Sequence, residues 1–257
     1  GKGPYGSTGN AGNSHGGVGS SKNLCRGSIR EPEIYGPTSG YNSSGGAVKL
    51  TVAGTLTVNG TVDASADYGG NYATSCGGSV WLTAGTFAGS GSVKSTQGSS
   101  GNDINVSSGG RIALYQTATA GWNGFAATVS TSGYSGGTYF RRDAAGVEEL
   151  FAKNSANAAG AVQFPMADDG DARTAYKDTS LSIGANTSLQ ITNATWVAGS
   201  TVKVKDLVLT TTSSKVKLLG SFIKVSDLTH KDGEGWAGTY TALVTEGGGS
   251  IIWGTSG

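Results

Sequence analysis

Between residues 45 and 140, apolar and polar residues alternate in short runs, each opened by a pair of glycines. Gly45-Gly46-Ala47-Val48-Lys49-Leu50-Thr51-Val52 returns as Gly77-Gly78-Ser79-Val80-Trp81-Leu82-Thr83-Ala84. It returns again as Gly109-Gly110-Arg111-Ile112-Ala113-Leu114-Tyr115-Gln116. These copies start 32 residues apart, and a looser fourth begins at Gly136-Gly137-Thr138-Tyr139-Phe140. Ala53-Gly54-Thr55 and Ala84-Gly85-Thr86 place a turn after the first two copies. Alternation with period two is the pattern of a strand with one buried face.

A shorter period governs the C-terminal part. Gly199-Ser200-Thr201-Val202-Lys203-Val204-Lys205-Asp206-Leu207 matches Gly220-Ser221-Phe222-Ile223-Lys224-Val225-Ser226-Asp227-Leu228, 21 residues later. One step back, Asp178-Thr179-Ser180-Leu181-Ser182-Ile183 keeps the apolar positions, so Leu181, Val202 and Ile223 are expected in one stack and Ile183, Val204 and Val225 in the next.

A unit of roughly 20–30 residues with two or three short strands cannot bury its apolar face alone; stacking successive units buries one continuous core. The fold expected is all-β, a right-handed parallel β-helix, because parallel crossovers strongly prefer that hand. The alternative is a β-sandwich, which would need tight hairpins. Asn59-Gly60, Asn123-Gly124 and Asp232-Gly233 are present but do not recur with the repeat.

Four segments follow: a Gly/Ser-rich N-terminal cap or loop over 1–44, long-coil repeats over 45–142, an insertion or joint over 143–177, and short-coil repeats with a C-terminal cap over 178–257. In the joint, Glu148-Glu149-Leu150-Phe151 is expected to make a helical turn.

Composition narrows the picture. There are 45 glycines and 4 prolines, and 14% of residues are charged, with a net charge of +1. Near-neutrality removes the electrostatic case for nucleic acid, and no apolar run reaches the length of about 18–20 residues needed for membrane insertion. The sequence begins at Gly1, without methionine or a signal-peptide pattern, so a processed protein or part of a larger polypeptide is expected. Cys25 and Cys76 form an even pair in a polar, Gly/Ser/Thr-rich chain, which favours an extracellular disulfide over two thiols.

The run Gly-Gly-x-Val-x-Leu followed by Ala-Gly-Thr-Leu-Thr-Val-Asn-Gly-Thr-Val, residues 45–62, resembles the repeats of large secreted bacterial β-helix proteins of the pectin-lyase-like and haemagglutinin- or autotransporter-passenger-like groups. The likeness covers about residues 40–140 and 178–228. It implies a β-helix that is secreted or displayed at the cell surface. These solenoids serve as adhesins, lyases, hydrolases and spacers, and no catalytic motif is present here onto which family roles could be carried.

With Val48, Leu50 and Val52 inward, aligning the four copies on their glycine pairs sets Lys49, Trp81, Ala113 and Phe140 in one outward row. Thr51, Thr83, Tyr115 and Arg142 form a second, and Ala47, Ser79, Arg111 and Thr138 a third. Trp81, Tyr115 and Phe140 flanked by Lys49, Arg111 and Arg142 suit a sugar ring stacked on aromatics, with its hydroxyls or carboxylates bonded to the cations. The competing expectation is that glycine-rich loops cover these aromatics.

Asp168, Asp169 and Asp171 cluster around Gly170 as a hard cation such as calcium prefers, though without the later bidentate Glu of an EF-hand; a solvated acidic turn is the alternative. No other cofactor is implied. Asp206 and Asp227 stack in the 21-residue register, as do Lys203 and Lys224, which makes a neutral ladder. A lyase would want carboxylates on adjacent coils, yet Asp63 aligns with Ser95 and Ala127; a hydrolase pair could come from Asp143 with Glu148 or Glu149. His15 and His230 are too far apart in sequence to suggest a dyad. The leading expectation is a carbohydrate-binding or adhesin module whose partner is a polysaccharide or cell-surface glycan. A β-helix lyase or glycoside hydrolase is second, and a structural stalk third.

Overall fold

The computed structural model describes residues 15–16, 25, 27–36, 43–67, 75–98 and 107–154, followed by strands between residues 161 and 254. Beyond 154, side-chain burial is described only for 188–192 and 207–210. Every regular element among the described residues is a strand, and most pairs are parallel. The described residues are therefore all-β with mostly parallel sheets.

The strands of the first half are β1 (Ala47–Thr57), β2 (Thr61–Asp63), β3 (Ser79–Ala88), β4 (Ser92–Lys94), β5 (Arg111–Gln116), β6 (Thr128–Ser130) and β7 (Gly137–Arg142). β1, β3, β5 and β7 lie side by side in parallel, and β2, β4 and β6 make a second parallel sheet. The register of the first sheet is the one the glycine pairs predict: Val48, Val80, Ile112 and Tyr139 are successive partners, as are Lys49, Trp81, Ala113 and Phe140. One extra residue of β1 between Val52 and Thr55 shifts the ladder. Asp63 consequently pairs with Lys94 instead of Ser95; Lys94 in turn pairs with Ser130, not Ala127, because the third coil is longer, and still no carboxylates stack.

Except at Gly46, the paired glycines are required by close backbone approach. A Cβ on Gly78 would overlap the carbonyl oxygen of Gly46, and one on Gly110 the carbonyl oxygen of Gly78. Between the sheets Val80, Leu82, Ala84, Phe87, Val93, Ile112, Leu114 and Val129 are buried together. Each large aliphatic side chain there contributes about 1.5–3 kcal/mol by leaving water.

The second half contains β8 (Glu148–Lys153), β9 (Ala161–Val162), β10 (Thr187–Thr192), β11 (Thr195–Ala198), β12 (Val202–Val204), β13 (Asp206–Leu209), β14 (Lys215–Leu219), β15 (Ile223–Val225), β16 (His230–Lys231), β17 (Gly235–Trp236), β18 (Leu243–Thr245) and β19 (Ser250–Gly254). Glu148–Phe151 is extended strand, which corrects the expected helical turn. A single helical turn fixes several dihedrals for one hydrogen bond, whereas here each residue gains a ladder partner on β7, with Phe140 opposite Leu150 and Tyr139 opposite Phe151. Gly146 (φ 80°) and Asp143, which accepts from the Val147 and Gly121 amides at 2.9 and 2.6 Å, close the turn between them.

β7 and β8 are antiparallel, and β10, β13 and β18 then follow β8 in parallel. The main sheet thus holds two parallel blocks running in opposite directions, β1-β3-β5-β7 and β8-β10-β13-β18. The buried face changes with them. Residues directly paired across a sheet point to the same side, so Leu150, Leu189 and Leu207 share the side of Phe140 and Trp81, opposite to Val80 and Ile112. Leu189, Ile191, Leu207 and Leu209 are buried on that side, while Gln190 and Val208 on the other are only half-buried.

Elsewhere, β9, β11, β14 and β19 make a parallel sheet, β12 pairs with β15, and β16 and β17 form an antiparallel ribbon. Val202 opposite Ile223 and Lys203 opposite Lys224 keep the 21-residue register. Asp206 pairs with Ser188 on β10. Leu181, Ile183 and Asp227 lie outside the described residues, as do Asp168, Asp169 and Asp171.

Candidate functional site

The register places Trp81, Tyr115 and Phe140 on one side of the first block, as the repeat spacing predicts. Their rings form a continuous row, with centroids 6.5 Å apart for Trp81–Tyr115 and 5.7 Å for Tyr115–Phe140. Lys49 lies with its ammonium 3.7 Å from the Trp81 ring centre. The alternation of small and large residues on successive strands makes this row possible: Ala113 sits between Trp81 and Phe140 on the strand ladder and leaves room for both.

The row is not an open face. Residues 27–36 run across it as a strap. The Arg30 guanidinium stacks 4.9 Å from the centre of Phe140 and makes a two-pronged bond to Glu148 at 2.5 and 2.6 Å. Tyr115 donates its hydroxyl to the Arg30 carbonyl at 2.9 Å, and Ser79 donates to the Ile34 carbonyl. Glu33 bonds the Lys49 ammonium at 2.6 Å. Phe140 is buried, Trp81 and Tyr115 are half-buried, and Ile29 of the strap is buried as well. Arg142 remains exposed, 3.9 Å from Glu148.

Arg111 is buried without exposure, beneath residues 15–16. It donates to the Thr138 hydroxyl at 2.9 Å and to the His15 carbonyl at 3.2 Å. His15, which the sequence leaves in a polar loop, is fully buried against the glycine corner. Its Nδ1 donates to the Gly77 carbonyl at 2.6 Å, its amide bonds the Ser108 hydroxyl, and Nε2 has no hydrogen-bond partner among the described residues. Burial, and then the charge of Arg111, hold the imidazole at a pKa of about 3 against the smaller opposing effect of the Gly77 bond. A ring kept neutral in this way packs the segment onto the sheet.

Cys25 and Cys76 are both buried, with no disulfide between them in this structure. The Cys76 sulfur accepts from the Ser108 hydroxyl at 3.5 Å, and burial pushes its thiol up to about 11, too high for a nucleophile.

The carboxylates considered for hydrolysis are each engaged by other groups. Asp143 caps the β7–β8 turn, Glu148 is clamped by Arg30, and Glu149 pairs with Arg141 at 2.5 Å. Among the described residues no three His, Cys, Asp or Glu side chains converge as a metal site, and no helix is long and apolar enough to cross a membrane. Sequence reasoning missed the strap. The available signal was Ile29 and Ile34 set among Arg30, Glu31 and Glu33, a change of composition within the Gly/Ser-rich N-terminal segment. Comparison with known protein families, curated proteins and solved structures returns no match.

Proposed function

We propose that this chain is a right-handed parallel β-helix module of a secreted or cell-surface protein, and that it serves as a structural stalk or spacer within a larger polypeptide. The observation that carries the reading is the strap: the aromatic row that would have made a glycan platform packs the chain's own residues 27–36. The in-register ladder at 32 residues supports the coil. So does the joint between the blocks. Reversing strand direction alone, or the buried face alone, would invert the hand of the coil; reversing both is a half-turn about the stacking axis and preserves it. Both blocks can therefore keep the right-handed crossover that parallel strands prefer.

Carbohydrate binding is the second reading, favoured by the half-exposed Trp81 and Tyr115 with Lys49 and Arg142 at the edges of the row. A panel of soluble polysaccharides, with and without calcium, separates the readings by affinity electrophoresis and by assay of reducing ends and unsaturated uronate. The stalk predicts neither retardation nor product. Retardation abolished in Trp81→Ala would replace it with a glycan-binding module, and product formation would replace both with an enzyme.

A further inference from the structure

β1 and β3 carry the same motif and meet different fates. Val80 and Leu82 are fully buried, whereas their partners Val48 and Leu50 are half-buried and, for Leu50, 41% exposed. The side chains are equivalent; the neighbours are not. β3 is paired on both edges, while β1 ends the eight-stranded sheet and β2 ends the three-stranded one. Among the described residues, Val48, Leu50 and Val52 therefore stand as an incompletely covered apolar row at an open strand edge, an arrangement proteins ordinarily cover or blunt because it invites pairing.

The open hydrogen-bonding groups can be identified. Ser79 donates to the Gly46 carbonyl, so by the alternation of a parallel ladder the even-numbered residues of β1 bond β3, and the amides and carbonyls of Ala47, Lys49 and Thr51 face outward. An antiparallel partner would pair through those residues, which restricts the possible registers.

We propose that this edge is a homodimer interface, in which β1 of two copies pairs antiparallel about a twofold axis at Leu50. Two copies in isologous contact must present the same strand to each other. A twofold at Lys49 would set each Lys49 against its own image, a like-charge pair that destabilises a sheet. A twofold at Thr51 would leave Val48 opposite Gly54. The register centred on Leu50 puts Val48 opposite Val52 of the second copy, Leu50 opposite Leu50, and Lys49 opposite Thr51. It pairs all three apolar residues and opposes no charges. It also makes Leu50 a non-hydrogen-bonded pair, the kind in which facing side chains come closest.

The test is the solution mass of the intact chain by light scattering on a sizing column, for wild type, Leu50→Glu and Leu50→Cys. Expected are a dimer for wild type and a monomer with an unchanged far-ultraviolet spectrum for Leu50→Glu. Leu50→Cys should form an interchain disulfide between its two introduced thiols on mild oxidation, mapped by peptide mass spectrometry. Should Leu50→Glu misfold, the Leu50→Cys cross-link decides alone. A wild type that stays monomeric at its highest soluble concentration overturns the proposal. A dimer that neither loses mass in folded Leu50→Glu nor cross-links in Leu50→Cys overturns it equally.

Discussion

The two blocks of the main sheet use one backbone ladder and bury opposite faces of it. In β3 and β5 the even-numbered residues Val80, Leu82, Ile112 and Leu114 form the core; across the β7–β8 turn the core passes to Leu150, Leu189 and Leu207, on the side where β3 carries Trp81. At the crossing, both faces are apolar at once: Tyr139 stacks on Phe151 at 5.0 Å on one side while Phe140 faces Leu150 on the other. Two adjacent aromatics in β7, Tyr139 and Phe140, where the earlier repeats pair an aliphatic residue with Lys49, Trp81 or Ala113, are the local chemistry that lets a core change sides. A sheet face is thus assigned by what covers it, and the same row of positions can be surface in one block and core in the next.

The largest effect should come from the glycine corners of the first block. Gly78→Ala forces a methyl into the Gly46 carbonyl, backbone that cannot step aside, and should remove the native transition or cost more than about 4 kcal/mol, the range of severe single substitutions. Gly46→Ala, with nothing within 4 Å of the new methyl, should leave the urea midpoint almost unchanged. Equal midpoints for the two variants would show that the first block is not packed as described.

Next is a direct test of the change of face. Leu82→Ala and Leu189→Ala remove buried side chains from opposite sides of the sheet, and each should cost about 2–5 kcal/mol. Thr83→Ala and Gln190→Ala, on the other side of each strand, should cost below about 1 kcal/mol. If Gln190→Ala proved costlier than Leu189→Ala, the core would not switch at β7–β8.

Acid should weaken the N-terminal segment before the blocks. His15 has its pKa lowered on folding, from 6.5 to about 3, so the folded state favours the neutral ring. The associated stability is complete above pH 6.5 and is lost as the pH falls from 6.5 towards 3, because the unfolded or detached segment binds the proton first. Amide protection of residues 27–36 and of Arg111, measured relative to the intrinsic exchange rate at each pH, should fall between about pH 7 and 4, and His15→Asn should flatten that dependence. Protection independent of pH in wild type would mean that His15 does not anchor the segment.

Much of the first block was legible in the sequence, because a period-two pattern opened each time by a glycine pair specifies register: Lys49, Trp81, Ala113 and Phe140 fall in the row that the glycine pairs set. What covers that row was not legible. Arg30 and Glu148 are 118 residues apart, and nothing local to either announces the other. The strand at Glu148–Phe151 was missed for a related reason. Two glutamates followed by two apolar residues read as a helical turn in isolation, and only pairing with β7 makes them extended. Tertiary partners decided both.

The smallest effect separates the two ends of the strap. Arg30 and Glu148 are largely sheltered, with side-chain exposures of 17% and 11%, and a two-pronged bond between sheltered ions is expensive to break on one side; Arg30→Ala should cost about 1–3 kcal/mol and speed proteolysis within 27–36. Lys49 and Glu33, at 54% and 58%, keep their water. Solvent screens their attraction, and ordering both long side chains consumes much of what remains, so Lys49→Ala should cost below about 1 kcal/mol, including the contact with Trp81. The strap is then pinned where it approaches the second block and rests loosely where it crosses the first repeat. Proteolysis of Lys49→Ala as fast as that of Arg30→Ala would reverse this gradient, placing the firm anchor at the first-repeat end of the aromatic row and leaving the Phe140 end, beside the turn where the core changes sides, as the part that opens first.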